Sequence, residues 1–473
     1  MHYDLLILGS GSANSIPGRE FADQKIALVE EAAFGGTCLN SGCIPTKMFV
    51  HTADVARQAT TAARFGLDMR LDGVDWPAIR ERIFGRIDPL SEAGRIHRET
   101  RHSNMTYFAG HASFVGPKKV EIALTGGGRE VLTADRIVIA TGSRPDMPNV
   151  VGLADVGALT NASVMRMEQL PQSMLVLGSG YIAAEMASVF SALGVDVTVV
   201  ARSGALLRSL DSDISHAYTE AARECYGVVT YFDATRATRE GGRVRLTGFE
   251  GGRERTLEAE TILVATGRIP NADTLNLSAA GIATKAGRIR TDQYLRVLGR
   301  DGSVVDGVFA LGDVTSPHML KHIANHEMRV VRHNLLNPDK LARVHEDIVP
   351  AAVFGHPQVG TVGMTEEEAK RQGIDYVVGK QKYADIAYGW AMEDTHGFTK
   401  VIAERGTSRI LGCHIIGPQA VTLVQLIVQA MSTGQSARDI VRAQHWIHPA
   451  MPELLENALL QVSGMSHLEC AEQ

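Results

Sequence analysis

Two rhythms alternate along the chain. Short, nearly unbroken apolar runs end in glycine, and stretches with apolar residues at helical spacing follow them. Residues 3–8, Tyr-Asp-Leu-Leu-Ile-Leu, form such a run and stop at Gly9; the pattern predicts a strand buried on both faces of a parallel sheet. A second strand is expected over 25–29. Helical spacing follows over 46–65 and again over 76–102, and a further apolar strand runs from Arg136 into Ala140-Thr141-Gly142. At Met174 the opening pattern returns: strand, glycine turn, helix through Leu193, strand over 195–200 and a later strand ending in Ala265-Thr266-Gly267. The first part of the chain is therefore an internal duplication, each unit opened by Gly-x-Gly and closed by Ala-Thr-Gly. From Ala342 the character changes. Strand-like segments at 349–354, 358–364, 398–403 and 410–416 accompany a capping-box signature at Thr365–Glu368, a helix over 419–433 and a last helix through Val462.

The prediction is an α/β chain: two Rossmann-like dinucleotide-binding domains and a C-terminal α+β domain. A length of 473 residues is too great for one core and agrees with three or four domains. The net charge of −6 gives no nucleic-acid footprint. No apolar run approaches the ~20 residues of a membrane helix. Strand-like residues begin at Tyr3 where a charged leader would stand, so a cytoplasmic protein is expected.

The glycine turns carry the first candidate chemistry. Gly9-Ser10-Gly11 opens a turn that lets backbone approach a pyrophosphate, but Asn14 replaces the third glycine and Pro17 falls where a helix should run. The first helix is therefore expected to be short or irregular. Glu30 ends the second strand, about 20 residues on, where an acid meets an adenosine ribose. The second turn reads Gly178-Ser179-Gly180-Tyr181-Ile182-Ala183. Where an acid would end its following strand stand Ala201, Arg202 and Ser203, with Arg208 nearby; arginine suits a 2′-phosphate, so this unit should prefer NADPH. Leu311-Gly312-Asp313 ends another short strand and offers a carboxylate for ribityl hydroxyls.

There are five cysteines, too few and too odd in number for a secreted disulfide framework. Cys225 and Cys413 read as packing residues, and Cys470 lies in a polar tail over 463–473. Cys38 and Cys43 differ from these: they sit among glycines in Gly35-Gly36-Thr37-Cys38-Leu39-Asn40-Ser41-Gly42-Cys43, just before a helical pattern. A helix start favours a thiolate, so the pair reads as a redox-active disulfide. A zinc site would want a second close pair of ligands, and none is present, so no metal is expected. Dithiol chemistry also needs a proton donor. His448-Pro449, with Glu453 five residues after the histidine, supplies a candidate.

Together these motifs resemble the flavin-dependent pyridine nucleotide–disulfide oxidoreductases, the family of glutathione reductase, dihydrolipoamide dehydrogenase and mercuric reductase, over residues 3–462. The resemblance implies a homodimer whose active site is completed across the interface, FAD and NADPH as cofactors, and a small disulfide as substrate. It implies FAD on Gly9, Gly11, Asn14, Glu30, Gly36, Thr37, Lys47, Thr141, Gly142 and Asp313, and NADPH on Gly178, Gly180, Tyr181, Ile182, Arg202, Arg208 and Gly267. It makes Cys38 the thiol that meets substrate and Cys43 the thiol that faces the flavin. Lys47 would pair with Glu185, and His448 with Glu453 would be the acid–base from the other subunit. The domains would be 1–146 with 268–340 for FAD and the central region, 147–267 for NADPH and 341–462 for dimerisation. Three further strings, Phe84–Pro89, Lys321–Glu327 and Ala387–Asp394, resemble one branch whose members reduce a sugar-linked disulfide. Arg329 stands where glutathione reductases bind a substrate carboxylate, and Tyr388 and Trp390 are aromatic candidates for a sugar. Dihydrolipoamide dehydrogenase would carry an acid near Ala201, and mercuric reductase a second C-terminal cysteine pair.

Overall fold

The computed structural model describes residues 1–100 and 103–465. Its first sheet has the parallel strands Met105–Gly116, Ile26–Glu30, His2–Leu8, Arg129–Ile139 and Val304–Ala310 side by side. Lys119–Leu124 pairs antiparallel with both Met105–Gly116 and Arg129–Ile139, and Arg296–Leu298 closes the far edge. Leu5, Leu6 and Ile7 are fully buried, which is why the opening run shows no alternation: both faces are covered. The helix after Gly11 is a single 3₁₀ turn, Ser12–Ser15. Asn14 turns its amide back onto Ser10 O and Gly11 O, and Pro17 then denies a longer helix its donor.

The second sheet, Thr261–Val264, Ser173–Leu177, Asp196–Val200 and Gly227–Val229, is wholly parallel. Its helix Tyr181–Ala192 packs on the long helix Cys43–Thr61 and on Trp76–Thr100 through Phe49, Trp76 and Phe190. An antiparallel layer, Phe232–Glu240, Arg243–Glu250 and Arg253–Ala259, covers the other side through Leu246 and Phe232. The C-terminal unit is a five-stranded antiparallel sheet backed by the helices Ala420–Ser432 and Glu453–Ser463. Cys413 lies fully buried in it, while Cys225 is half-buried and accepts from Arg57. Cys470 falls outside the described residues.

A buried cation fastens the second nucleotide unit to this C-terminal sheet. Lys400 Nζ, on the strand Phe398–Glu404, lies 2.9 Å from Asp211, 2.6 Å from Glu366 and 3.2 Å from Asp213, with Lys400 1% and Asp211 0% exposed. Asp211 also caps the helix Ser212–Cys225. Lys400→Met strands the Asp211 carboxylate without its counter-charge and is expected to cost about 3–5 kcal/mol, read as a fall in the denaturation midpoint. Adding Asp211→Asn should return part of that loss; an additive double variant would show that the pair is not coupled.

Candidate functional site

Cys38 lies on the one-and-a-half-turn helix Gly36–Asn40, and Cys43 is the first residue of the helix Cys43–Thr61. Ser41 and Gly42 make the turn between them, and both cysteines are thiols in this structure. A hydrogen bond from Cys38 pulls the Cys43 thiol down to about 6, and the Lys47 charge one helical turn on adds to the effect. The same hydrogen bond, with burial, pushes the Cys38 thiol up. The two sulfurs are therefore unequal before any ligand arrives. In the dithiol enzyme Cys43 is expected to be a thiolate at pH 7 and to lose that charge as pH falls through about 6. Thiolate absorbance against pH checks this; a midpoint near that of a free thiol, about 8.5, would contradict it.

Lys47 Nζ donates to Glu185 Oε1 at 2.8 Å and Oε2 at 2.7 Å, and lies 4.6 Å from the Phe354 ring centre. Glu185 is 6% exposed and also accepts from Phe354 N at 2.9 Å. The ion pair thus joins the cysteine helix, the second nucleotide unit and the C-terminal unit at one point.

The first glycine turn is built around Glu30. Ser10 donates to Glu30 Oε2 from N at 2.8 Å and from Oγ at 2.7 Å, and Ala32 N donates to Oε1 at 3.0 Å. Ser10 Oγ also accepts from Gly35 N at 2.8 Å, so the turn and the cysteine loop share a residue that the sequence reading passed over. Gly9, at φ +103°, has no room for a side chain: a Cβ would stand 2.4 Å from Ala140 O. Gly11 and Gly142 instead face open space, Gly36 abuts Gly11, and Thr37 is exposed beside them. Thr141 Oγ1 is buried with no hydrogen-bond partner among the described residues, and Asp313 accepts from Ser143 Oγ at 2.5 Å. An unpaired hydroxyl, open backbone at two glycines and a carboxylate at the strand ends fit a flavin dinucleotide.

The second turn repeats the geometry. A Cβ on Gly178 would stand 2.2 Å from Ala265 O, while Gly180 faces open space. Tyr181 and Ile182 are half-buried at the helix start, and burial pushes the Tyr181 hydroxyl up. Arg202 and Arg208 are exposed and line a cavity of about 650 Å³ with Ser203, His216, Tyr231 and Arg371. Gly267, after the strand Thr261–Val264, is exposed. Two exposed arginines on one cavity fit a phosphorylated ribose.

His448 is 70% exposed on its side chain; its Nδ1 is held by Glu453 Oε1, while Ala450 N donates to Glu453 Oε2 at 3.3 Å. Nε2 meets no partner among the described residues. Arg329, Tyr388 and Trp390 are exposed, and Trp390 Nε1 donates to Ala384 O at 2.6 Å.

Against known families, residues 3–332 match the pyridine nucleotide-disulphide oxidoreductases and residues 349–459 match that family's dimerisation domain. The chain belongs to this family. It is 45% identical to a mycothione reductase of Mycobacterium tuberculosis over 97% of this chain and 99% of that one. It is 31% identical to a mitochondrial dihydrolipoyl dehydrogenase of Arabidopsis thaliana over 97% of this chain and 90% of the relative. Among solved structures, the Cu(II) complex of RclA, an HOCl-induced flavoprotein disulfide reductase from Escherichia coli, superposes with a TM-score of 0.84 at 27% identity, covering 97% and 99% of the two chains. The enzyme is accordingly an NAD(P)H-dependent flavoprotein disulfide reductase with FAD as cofactor, and its dimerisation domain supports a homodimer. Among the described residues no helix is long and apolar enough to cross a membrane.

Proposed function

We propose that this enzyme reduces mycothione, the disulfide of mycothiol, through Cys38 and Cys43, in the cytoplasm. The observation that carries the substrate is the 45% identity to a mycothione reductase along almost the whole of both chains. The branch implied by residues 84–89, 321–327 and 387–394 is the same one.

FAD, when bound, relays two electrons from NADPH to the cysteine pair. Gly9, Gly11, Asn14, Glu30, Gly36, Thr37, Lys47, Thr141, Gly142 and Asp313 would hold it. NADPH would be held by Gly178, Gly180, Tyr181, Ile182 and Gly267, with Arg202 and Arg208 available to a 2′-phosphate. The domain division follows: 1–146 with 268–340, then 147–267, then 341–462. The exchange itself needs only protein groups. His448 of the partner subunit takes the proton of the Cys38 thiol. Cys38 sulfur attacks one sulfur of the substrate, forming a mixed disulfide, and the departing thiolate receives that proton from the imidazolium. Cys43 thiolate then attacks Cys38 sulfur; the second thiolate leaves, takes a proton from solvent, and the Cys38–Cys43 disulfide closes. The raised Cys38 and lowered Cys43 affinities for protons suit this order, because the thiol that must be activated is the one next to a base.

The test is NADPH oxidation with mycothione, glutathione disulfide and lipoamide in parallel. A kcat/KM highest for mycothione supports the substrate; a preference for either other disulfide overturns it. For the cofactor, Arg202→Glu and Arg208→Glu should each lower kcat/KM for NADPH tenfold or more and leave NADH nearly unchanged, since a hydrogen bond to a charged group is worth about 1.5–3 kcal/mol.

A further inference from the structure

Ser143 follows the first Ala-Thr-Gly, and Arg268 follows the second. Their segments, Ser143–Pro145 and Arg268–Pro270, pair antiparallel, and Asp146 N donates to Gly267 O at 3.0 Å. The two crossings between the nucleotide units therefore form one ribbon. A polar relay runs out from it. Ser143 Oγ donates to Asp313 Oδ2 at 2.5 Å. Arg268 donates to Ser143 twice, from Nε to Oγ at 2.7 Å and from Nη2 to the carbonyl at 2.5 Å. Its Nη1 donates to Asn161 Oδ1 at 3.3 Å, and Asn161 Nδ2 donates to Ser41 O at 2.7 Å. Asn161 is 7% exposed, so its amide depends on these partners. Ser41 caps the Cys38 helix, and Gly42 precedes the helix that begins at Cys43.

We propose that Arg268 is a positioning residue that holds the turn between Cys38 and Cys43 in register with Asp313, the carboxylate assigned to FAD. This rests on the reading of Cys38 and Cys43 as the redox pair. A planar guanidinium is suited to the task, since its fork presents several donors at fixed angles. Its charge also interacts electrostatically with Asp313 and, behind the Cys38 hydrogen bond and Lys47, with Cys43, so the same group bears on thiolate formation.

The test uses the holoenzyme and its variants Arg268→Gln, Arg268→Lys and Asn161→Ala. Each is reduced anaerobically with one equivalent of NADPH. The long-wavelength absorbance of Cys43 thiolate against the flavin is followed with pH, and disulfide closure is timed by stopped flow on adding substrate. Arg268→Gln should raise the pH midpoint of the absorbance and slow closure about tenfold or more, the scale on which misplaced reacting atoms act. Arg268→Lys should restore the midpoint but not the rate, because a single ammonium keeps the charge and loses the fork. Asn161→Ala should slow closure without moving the midpoint. A flavin-loaded Arg268→Gln enzyme with wild-type midpoint and rate overturns the proposal. If that variant loses its flavin, Asn161→Ala decides, and a wild-type closure rate overturns it. A wild-type enzyme lacking the absorbance altogether would instead overturn the assignment of the cysteine pair.

Discussion

Cys38→Ser is expected to abolish turnover of every disulfide substrate while leaving reduction of the bound flavin by NADPH intact. A hydroxyl at that position cannot form the mixed disulfide, and among the described residues no cysteine outside the pair is placed to replace it: Cys413 is sealed in the C-terminal sheet, and Cys225 lies beside Arg57. Cys43→Ser should also abolish turnover, but for a later reason. Its Cys38 can still attack substrate, so the enzyme should stall as a mixed disulfide with one equivalent of thiol released. Stopped-flow flavin absorbance and mass spectrometry of the trapped protein separate the two variants. Multiple turnovers by Cys38→Ser would sink the whole thiol assignment. A covalent adduct on Cys38→Ser, with none on Cys43→Ser, would exchange the roles of the two sulfurs. The difference in proton affinity between the thiols makes this division of labour physical and not merely positional. Cys43, lowered to about 6 by the Cys38 hydrogen bond and Lys47, is expected to be the thiolate that waits.

Much of this was readable from residue order, because parallel strands buried on both faces leave continuous apolar runs and their glycine turns recur at fixed places. Gly9, Gly178 and the two Ala-Thr-Gly closures declared the duplication, and Pro17 announced a truncated first helix. The antiparallel layer 232–259 was not anticipated. Its outer strands alternate weakly, with many exposed charges such as Arg253, Glu254 and Arg255, so period and propensity gave little signal. The helix Lys321–Leu336 was noted only as a string, although Ile323, Ala324, Val330, Val331 and Leu335 lay a buried stripe along it at helical spacing. Ser10, Ser143, Asn161 and Arg268 were missed because each acts through another residue across the fold. For Ser143 and Arg268 a signal did exist, since they occupy the same position after the two Ala-Thr-Gly closures. Asn161 had none: it meets Ser41 from a segment 120 residues away.

His448→Ala should lower kcat with disulfide substrate by roughly two orders of magnitude or more, the usual worth of a positioned acid–base, with flavin reduction by NADPH unchanged. Glu453→Gln should lower it less, because the amide can still hold Nδ1 by hydrogen bonding but cannot stabilise an imidazolium by charge. The exposure of His448 in one chain carries a further expectation. Cys43 is itself exposed and Cys38 half-buried in one chain, so a site in which His448, 70% exposed and with Nε2 unmet among the described residues, protonates a thiolate needs a surface to cover it, and a second copy in the homodimer supplies one. Mixed dimers test this. Combining Cys38→Ser subunits with His448→Ala subunits gives heterodimers in which a shared site receives either both defects or neither. Random assortment should then restore about a quarter of the wild-type activity from two nearly inactive parents. If each subunit used its own histidine, every site in every dimer would carry one defect, and mixing would restore nothing.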